Sequence, residues 1–138
     1  LTGLRIGRRL PVHCTALGKV LLGCGDRLLR EHFDRLCVAN GTLDTRTEAT
    51  ITDRDKFFEH LRGVANQGYA LDLEESETGL CCAAAPVFSA SGRLVAAVSV
   101  SGPAFRLSRD TLLDQSVPHL LSAADELSRQ LGHQGYQD

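Results

Sequence analysis

Residues 80–101 decide the fold, and they read LCCAAAPVFSASGRLVAAVSVS. Two apolar runs, Leu80–Phe88 and Arg93–Ser101, flank the four-residue segment Ser89-Ala90-Ser91-Gly92, whose composition is typical of a turn. A turn this short joins antiparallel neighbours, so the stretch predicts a β-hairpin. Both strands are apolar on both faces, which predicts helices on one side of the sheet and loops or a pocket on the other.

The sequence on either side of the hairpin supplies one more strand and several helices. Residues 69–73 form a shorter run with strand composition. Apolar residues at three-to-four spacing, with Thr15 as the expected N-cap of the first helix, predict helices over residues 16–22, 26–37, 52–67 and 108–132. Gly23 is expected to end the first helix, and Pro118 to kink the last one or to mark a restart capped by Ser116. The order predicts one α+β domain, an antiparallel sheet flanked by helices.

Composition limits the function classes. The 138 residues suit a single domain, and a formal charge of -2 argues against nucleic acid or an anionic membrane as a direct partner. No apolar run is long enough to span a membrane. Five cysteines without CxxC spacing favour a reducing cytoplasm. Because the chain has no methionine and begins at Leu1, we expect a fragment of a longer protein.

Three features of the sequence could form part of a binding site, and the first two lie in α-helical and β-strand segments. The start of the first helix, Thr15 to Lys19, exposes unpaired backbone N–H groups and the positive end of the helix dipole, which suits a carboxylate; the alternative is a helix that packs tightly at Gly18. Ser99 and Ser101 are two residues apart on one strand, so their hydroxyls share a face. They either bond neighbouring backbone or line a cavity.

Asp72 and Cys82 form the third feature. If residues 74–79 make a connecting loop, both side chains lie near one end of neighbouring strands. A carboxylate and a thiol beside two hydroxyls, inside an apolar shell, are typical of a small-molecule pocket. Alternatively, Asp72 caps the loop and Cys82 is a small buried hydrophobe. The acidic residues at 74, 75 and 77 are interpreted as a solvated turn and not as a metal site.

The motifs of this chain, in order, resemble the effector-binding domain of IclR-type transcriptional regulators. The matching segments are PVHCTALGK at 11–19, GYA at 68–70 with Asp72 and Glu74-Glu75, Gly79 with CAAAPV at 82–87, and SVSGP at 99–103. The resemblance covers about residues 9–132. It implies a GAF-like (profilin-like) domain of a homodimeric or homotetrameric regulator. It also implies that the DNA-binding winged helix-turn-helix, and the first elements of the effector domain, are missing from 1–138.

The resemblance also implies the residues of an effector site. In the family the effector is a small organic or aromatic acid. By motif position, the N–H groups of Ala16 and Leu17 would face its carboxylate. The remaining expected site residues are the polar Asp72, Cys82, Ser99 and Ser101 and the apolar walls Leu17, Leu80 and Leu22. No cofactor or metal is expected, since Asp72 and Cys82 are too few ligands for a closed zinc site.

These observations favour a ligand-sensing regulatory module over two alternatives. One alternative is an enzyme with Cys82 as nucleophile, His13 or His119 as base and Asp72 orienting the base. Cys82 lies in an apolar strand, however, and this should raise its pKa and keep the thiol unreactive. The other is a purely oligomerising module, which would explain the long last helix but not the polar residues.

Overall fold

The structure is a computed structural model, and it describes residues 6–135. Its elements, in chain order, are α1 Ala16–Cys24, α2 Arg27–Cys37, α3 Arg54–Gln67, β1 Ala70–Leu73, β2 Leu80–Phe88, β3 Leu94–Pro103, α4 Arg109–Thr111, a π-helical turn Leu112–Ser116 and α5 Val117–Gln130. Among the described residues, no helix is both long and apolar enough to cross a membrane.

The three strands form one antiparallel sheet in the order β1-β2-β3. The predicted hairpin is confirmed: the Ser89 N–H donates to the Arg93 carbonyl at 2.9 Å, and Gly92 takes the positive φ of +80° that closes the turn. In the register, Asp72 lies opposite Cys82, and Cys82 lies opposite Ser101. The predicted α+β architecture, a sheet flanked by helices, is therefore the observed one.

One face of the sheet is covered by α5 and the π-helical turn. Alternate residues of β2 point to this face, and the small side chains of Ala83 and Ala85 let the helix approach closely. The buried cluster is completed by Cys81, Val87, Leu112, Val117, Leu120 and Ala124. The predicted long helix is interrupted as expected near Pro118, which lies in the first turn of α5. Ser116 does not cap the restart, because its backbone remains helical and its hydroxyl makes no capping hydrogen bond.

The other face is covered by α1, with α3 behind it. Ala16 and Val20 of α1 pack on Ala70 and Ala84 of the sheet, and Val64 joins them from α3. The sequence predicted loops or a pocket on this face; a pocket does lie here, but α1 and α3 cover the face as well, and this was not expected. Helices lie on both faces because both sets of alternating strand residues are apolar and must be buried.

Helix α1 continues past Gly23, which was expected to end it. A Cβ at Gly23 would lie 3.1 Å from the Leu61 carbonyl oxygen and from Val64 Cγ1, so the glycine allows α1 and α3 to pack closely. The helix ends instead where the Gly25 N–H bonds the Leu21 carbonyl at 3.1 Å.

Candidate functional site

A cavity of about 220 Å³ lies beside the N-terminus of α1, on the α1 side of the sheet. Six residues singled out from the sequence line it: Ala16, Leu17, Leu80, Cys82, Ser99 and Ser101. They come from α1, β2 and β3: the antiparallel register sets Cys82 beside Ser101, and the packing of α1 on the sheet brings in residues that are far away in sequence. The lining combines apolar surface with a few polar groups, which is the usual composition of a small-molecule pocket.

The first turn of α1 forms one wall of the cavity. Thr15 caps the helix as predicted: its hydroxyl accepts from the Gly18 N–H at 3.2 Å and donates to the Pro11 carbonyl at 2.9 Å. The N–H groups of Ala16 and Leu17 belong to this turn, where a helix offers no carbonyl partners of its own. With the helix dipole, they make this wall attractive to an anion.

Strands β2 and β3 form the second wall. Ser101 lies opposite Cys82 across the sheet, and burial raises the pKa of the Cys82 thiol while the Ser101 side chain partly opposes that rise. Ser99 lies two residues before Ser101 on the same face, and both serines are exposed on the edge strand β3. Of the two alternatives for these hydroxyls, the geometry places them at the cavity.

Asp72 does not line the cavity, which corrects its predicted contact with a ligand. Its side chain is fully buried, and its carboxylate accepts the Glu75 N–H at 2.8 Å and the Ser76 hydroxyl at 2.9 Å. Burial raises the pKa of Asp72, and these hydrogen bonds partly offset that effect. Asp72 therefore has the loop-capping role that was its alternative interpretation, and Ser76 and Glu77 are the residues of this loop that line the cavity.

The acidic turn after β1 is only partly solvated. Glu74 accepts the Gly79 N–H at 2.8 Å, and Glu77 lines the cavity. Glu75, however, is buried and bonds Lys19 at 2.7 Å, so the interpretation of all three as a solvated turn is wrong for this residue. The partner that permits its burial is 56 positions away, which a local charge pattern cannot reveal.

Leu22 does not form a wall of the cavity either. It is 1% exposed and packs in a separate cluster with residues of α2 and α3, including Phe33 and Phe57. Leu17 and Leu22 are five positions apart, and at 3.6 residues per turn five positions rotate the side chain well away from the first direction. Leu17 therefore reaches the cavity while Leu22 points into the core.

Sequence reasoning missed two arginines in the lining, Arg8 and Arg46. Both lie in loops, where no periodicity indicates the direction of a side chain. The loop that carries Arg46 is held by Thr50, whose hydroxyl accepts the Arg46 N–H at 3.1 Å and donates to the Glu75 carbonyl at 2.7 Å. With Glu77 in the same lining, the two arginines leave the cavity walls with a formal charge of +1 beside a helix N-terminus.

The described residues do not assemble the arrangement that a cysteine enzyme would need. His13 is buried, its ring bonds the Asp44 carbonyl at 2.8 Å, and it packs edge-on against Phe57. His119 is exposed on α5, the helix that covers the opposite face of the sheet. Neither histidine is among the residues that line the cavity with Cys82. Within residues 6–135, no group of three or more His, Cys, Asp or Glu side chains could hold a metal ion.

Comparisons with known proteins agree with this architecture. The sequence profile of the family described as "Bacterial transcriptional regulator IclR C-terminal" matches residues 2–129. The HTH-type transcriptional regulator KdgR of Escherichia coli (strain K12) is 41% identical over 133 residues, which are 96% of this chain and 48% of KdgR. The chain thus spans about half the length of the curated relatives it matches.

Two solved structures extend the likeness to three dimensions. The inducer-binding domain of the PobR transcription factor from Acinetobacter, a double mutant in complex with 3-hydroxybenzoic acid, superposes with a TM-score of 0.81 at 35% identity and covers 92% of this chain and 72% of that one. The C-terminal domain of E. coli KdgR superposes with a TM-score of 0.78 at 39% identity, covering 93% and 75%. The chain therefore belongs to the IclR family of bacterial transcriptional regulators, in which it corresponds to the C-terminal domain.

Proposed function

We propose that this chain is the ligand-sensing domain of an IclR-type DNA-binding regulator, and that it binds a small organic or aromatic acid in the cavity beside α1. The observation that carries the proposal is the meeting of the α1 N-terminus with Arg8 and Arg46 around one cavity. A carboxylate there would receive backbone N–H groups and guanidinium donors, and hydrogen bonds to charged groups are the stronger class.

The opposite side of the cavity suits hydroxyl groups. Ser99 and Ser101 offer hydroxyl oxygens on the β3 wall, Glu77 lies in the loop after β1, and Leu80 adds apolar contact from β2. Glu77 would repel a second acidic group at this end. The ligand class that fits best is therefore a small monocarboxylic acid that also carries a hydroxyl. PobR, whose inducer-binding domain is solved with 3-hydroxybenzoic acid, supports this class by analogy.

The domain would act by differential affinity and without covalent chemistry. A ligand that binds one arrangement of the regulator more tightly shifts the population toward it, and the attached DNA-binding part would then change its affinity for an operator. The net charge of -2 supports placing DNA contact elsewhere in the longer protein. We place the regulator in the cytoplasm, as a homodimer or homotetramer.

Thermal melting with candidate acids tests the proposal. 3-Hydroxybenzoate and benzoate are compared, and a ligand at about 100 times its Kd should stabilise the domain by roughly 2.7 kcal/mol. Arg46→Gln and Ser99→Ala should reduce the shift. Arg62→Gln, the same change at an exposed position of α3, is the matched control and should leave it unchanged.

Two results would contradict the proposal. One is a folded domain that no small carboxylic acid stabilises. The other is a shift that Arg46→Gln and Arg62→Gln reduce equally, because the arginine would then act through net charge and not at the cavity. A shift of equal size with benzoate and 3-hydroxybenzoate would refute the role assigned to the hydroxyl.

A further inference from the structure

A lysine of α1 is completely buried next to the cavity. Lys19 is 0% exposed, which is rare for lysine unless its charge is paired. Its ammonium group donates to both carboxylate oxygens of Glu75 and to the Leu71 carbonyl oxygen, each at 2.7 Å. Three donors thus meet three acceptors, and the group is fully satisfied.

This ion pair joins two walls of the cavity. Lys19 lies about one helical turn after Ala16 and Leu17, which form the helical wall. Glu75 lies directly before Ser76 and Glu77, which line the cavity from the loop after β1. The ammonium group therefore fixes the distance between the helix N-terminus and this loop.

The same loop also holds the segment that carries Arg46. The Thr50 hydroxyl donates to the Glu75 carbonyl at 2.7 Å, and the Thr47 hydroxyl donates to the Glu74 carbonyl at 2.6 Å. A displacement of Glu75 would therefore be passed on to Arg46 through Thr50. Three parts of the cavity wall, α1 and the two loops, meet at the Lys19–Glu75 pair.

Stability alone is a poor explanation for this pair. A buried ion pair costs desolvation, and apolar replacements of similar volume are often equally stable. The desolvation cost of the Lys19–Glu75 pair is better explained if the pair holds α1 and the loop after β1 at a defined distance. We propose that Lys19 is a positioning residue of the ligand site, which holds residues 74–77, and through them Arg46, at the distance from α1 that ligand binding requires. The affinity part of this inference rests on the proposed function, whereas the positioning part stands without it.

The test separates positioning from stability with a paired replacement. Lys19→Met alone leaves the Glu75 carboxylate buried without its partner and should lower the unfolding midpoint strongly. Lys19→Met combined with Glu75→Gln removes both charges and should recover most of that midpoint. Lys56→Met, the same change at an exposed lysine of α3, is the matched control.

Amide hydrogen exchange and ligand affinity are the two readouts. In the double variant, exchange in residues 46–50 and 74–77 should be about tenfold faster, because local opening no longer breaks charge-assisted bonds. The affinity for 3-hydroxybenzoate should fall at least about tenfold, while Lys56→Met changes neither. If the double variant does not fold, Glu75→Asp, which keeps both charges but shortens the acidic side chain by one methylene, should show the same faster exchange.

A double variant with wild-type exchange and wild-type affinity would overturn the inference, because Lys19 would then be merely a buried structural residue. The inference would also be overturned if the double variant regained ligand affinity together with its unfolding midpoint, because affinity would then follow stability alone. A wild-type domain that does not bind 3-hydroxybenzoate would count against the ligand class under "Proposed function". The exchange measurement would still decide the positioning role.

Discussion

Two glycines in helices should respond in opposite ways to the same substitution. Gly18 in α1 lies against the loop before it: a Cβ there would be 2.0 Å from the Val12 carbonyl oxygen and 2.7 Å from Thr15 Oγ1. Gly63 in α3 is exposed, and a Cβ there would meet nothing within 4 Å. We expect Gly18→Ala to destabilise the domain and Gly63→Ala to stabilise it.

The magnitudes follow from the surroundings. Alanine in place of glycine inside a helix gains about 0.5–1 kcal/mol, and at Gly63 nothing opposes that gain. At Gly18 the same gain is outweighed by overpacking against backbone, about 1–3 kcal/mol, and by loss of the Thr15 cap, about 1 kcal/mol. The net loss at Gly18 is then about 1–3 kcal/mol, and the two variants should differ by about 2–4 kcal/mol.

Urea unfolding at pH 7, followed by circular dichroism, measures both changes. The m-values should equal that of the wild type, so that the midpoints report free energies of unfolding. Gly18→Ala should also weaken binding of 3-hydroxybenzoate, because the displaced loop includes Pro11, which lines the cavity. Stabilisation by both substitutions would refute the close approach of α1 to Val12, and with it the geometry of the helical wall.

Two further predictions concern titrating groups. Burial, together with the positive charge of Lys19, lowers the pKa of His60 to about 4. The stability from this shift should therefore be complete above the unfolded pKa near 6.5 and fall by about 1–2 kcal/mol as pH drops toward 4, since solvent screens the partly exposed ring. Urea unfolding of His60→Gln should lack this part of the loss, whereas the exposed His32→Gln should keep it, and equal profiles would contradict the assignment. Burial raises the pKa of Cys82, so at pH 7.5 iodoacetamide should label it at least about tenfold more slowly than the exposed Cys37, as measured by peptide mass spectrometry, with equal rates in urea as the control. Faster labelling of Cys82 would revive the cysteine-enzyme alternative.

The local patterns of the sequence predicted most of the elements and part of the site. The turn between β2 and β3, the Thr15 cap and the helix over residues 54–67 are all encoded by neighbours in sequence. Alternation along a strand also placed Ser99 and Ser101 on one face, and hairpin register placed Cys82 beside them. Six of the expected site residues meet at one cavity: the hairpin relates the strand residues locally, whereas the docking of α1 on the sheet brings in Ala16 and Leu17.

The predicted positions of Asp72 and Leu22 differ from the observed ones because each side chain could be buried in either of two places. Asp72 could face a ligand or cap its own loop, and the choice depends on whether the amides of residues 75 and 76 turn toward it. Leu22 could face the cavity or the core, and the position of α2 and α3 decides for the core. Sequence alone leaves both choices open, since each alternative satisfies the same local pattern.

The class of fold, the family and the strand and helix positions of the cavity lining could all be read from local sequence patterns. The places of Arg8 and Arg46 in this lining, and the pairing of Lys19 with Glu75, emerge from packing. Periodicity and capping act over a few residues, whereas loop side chains and buried charges are positioned by partners that packing brings near. Lys19 and Glu75, 56 positions apart, can meet only after α1 has docked on the sheet.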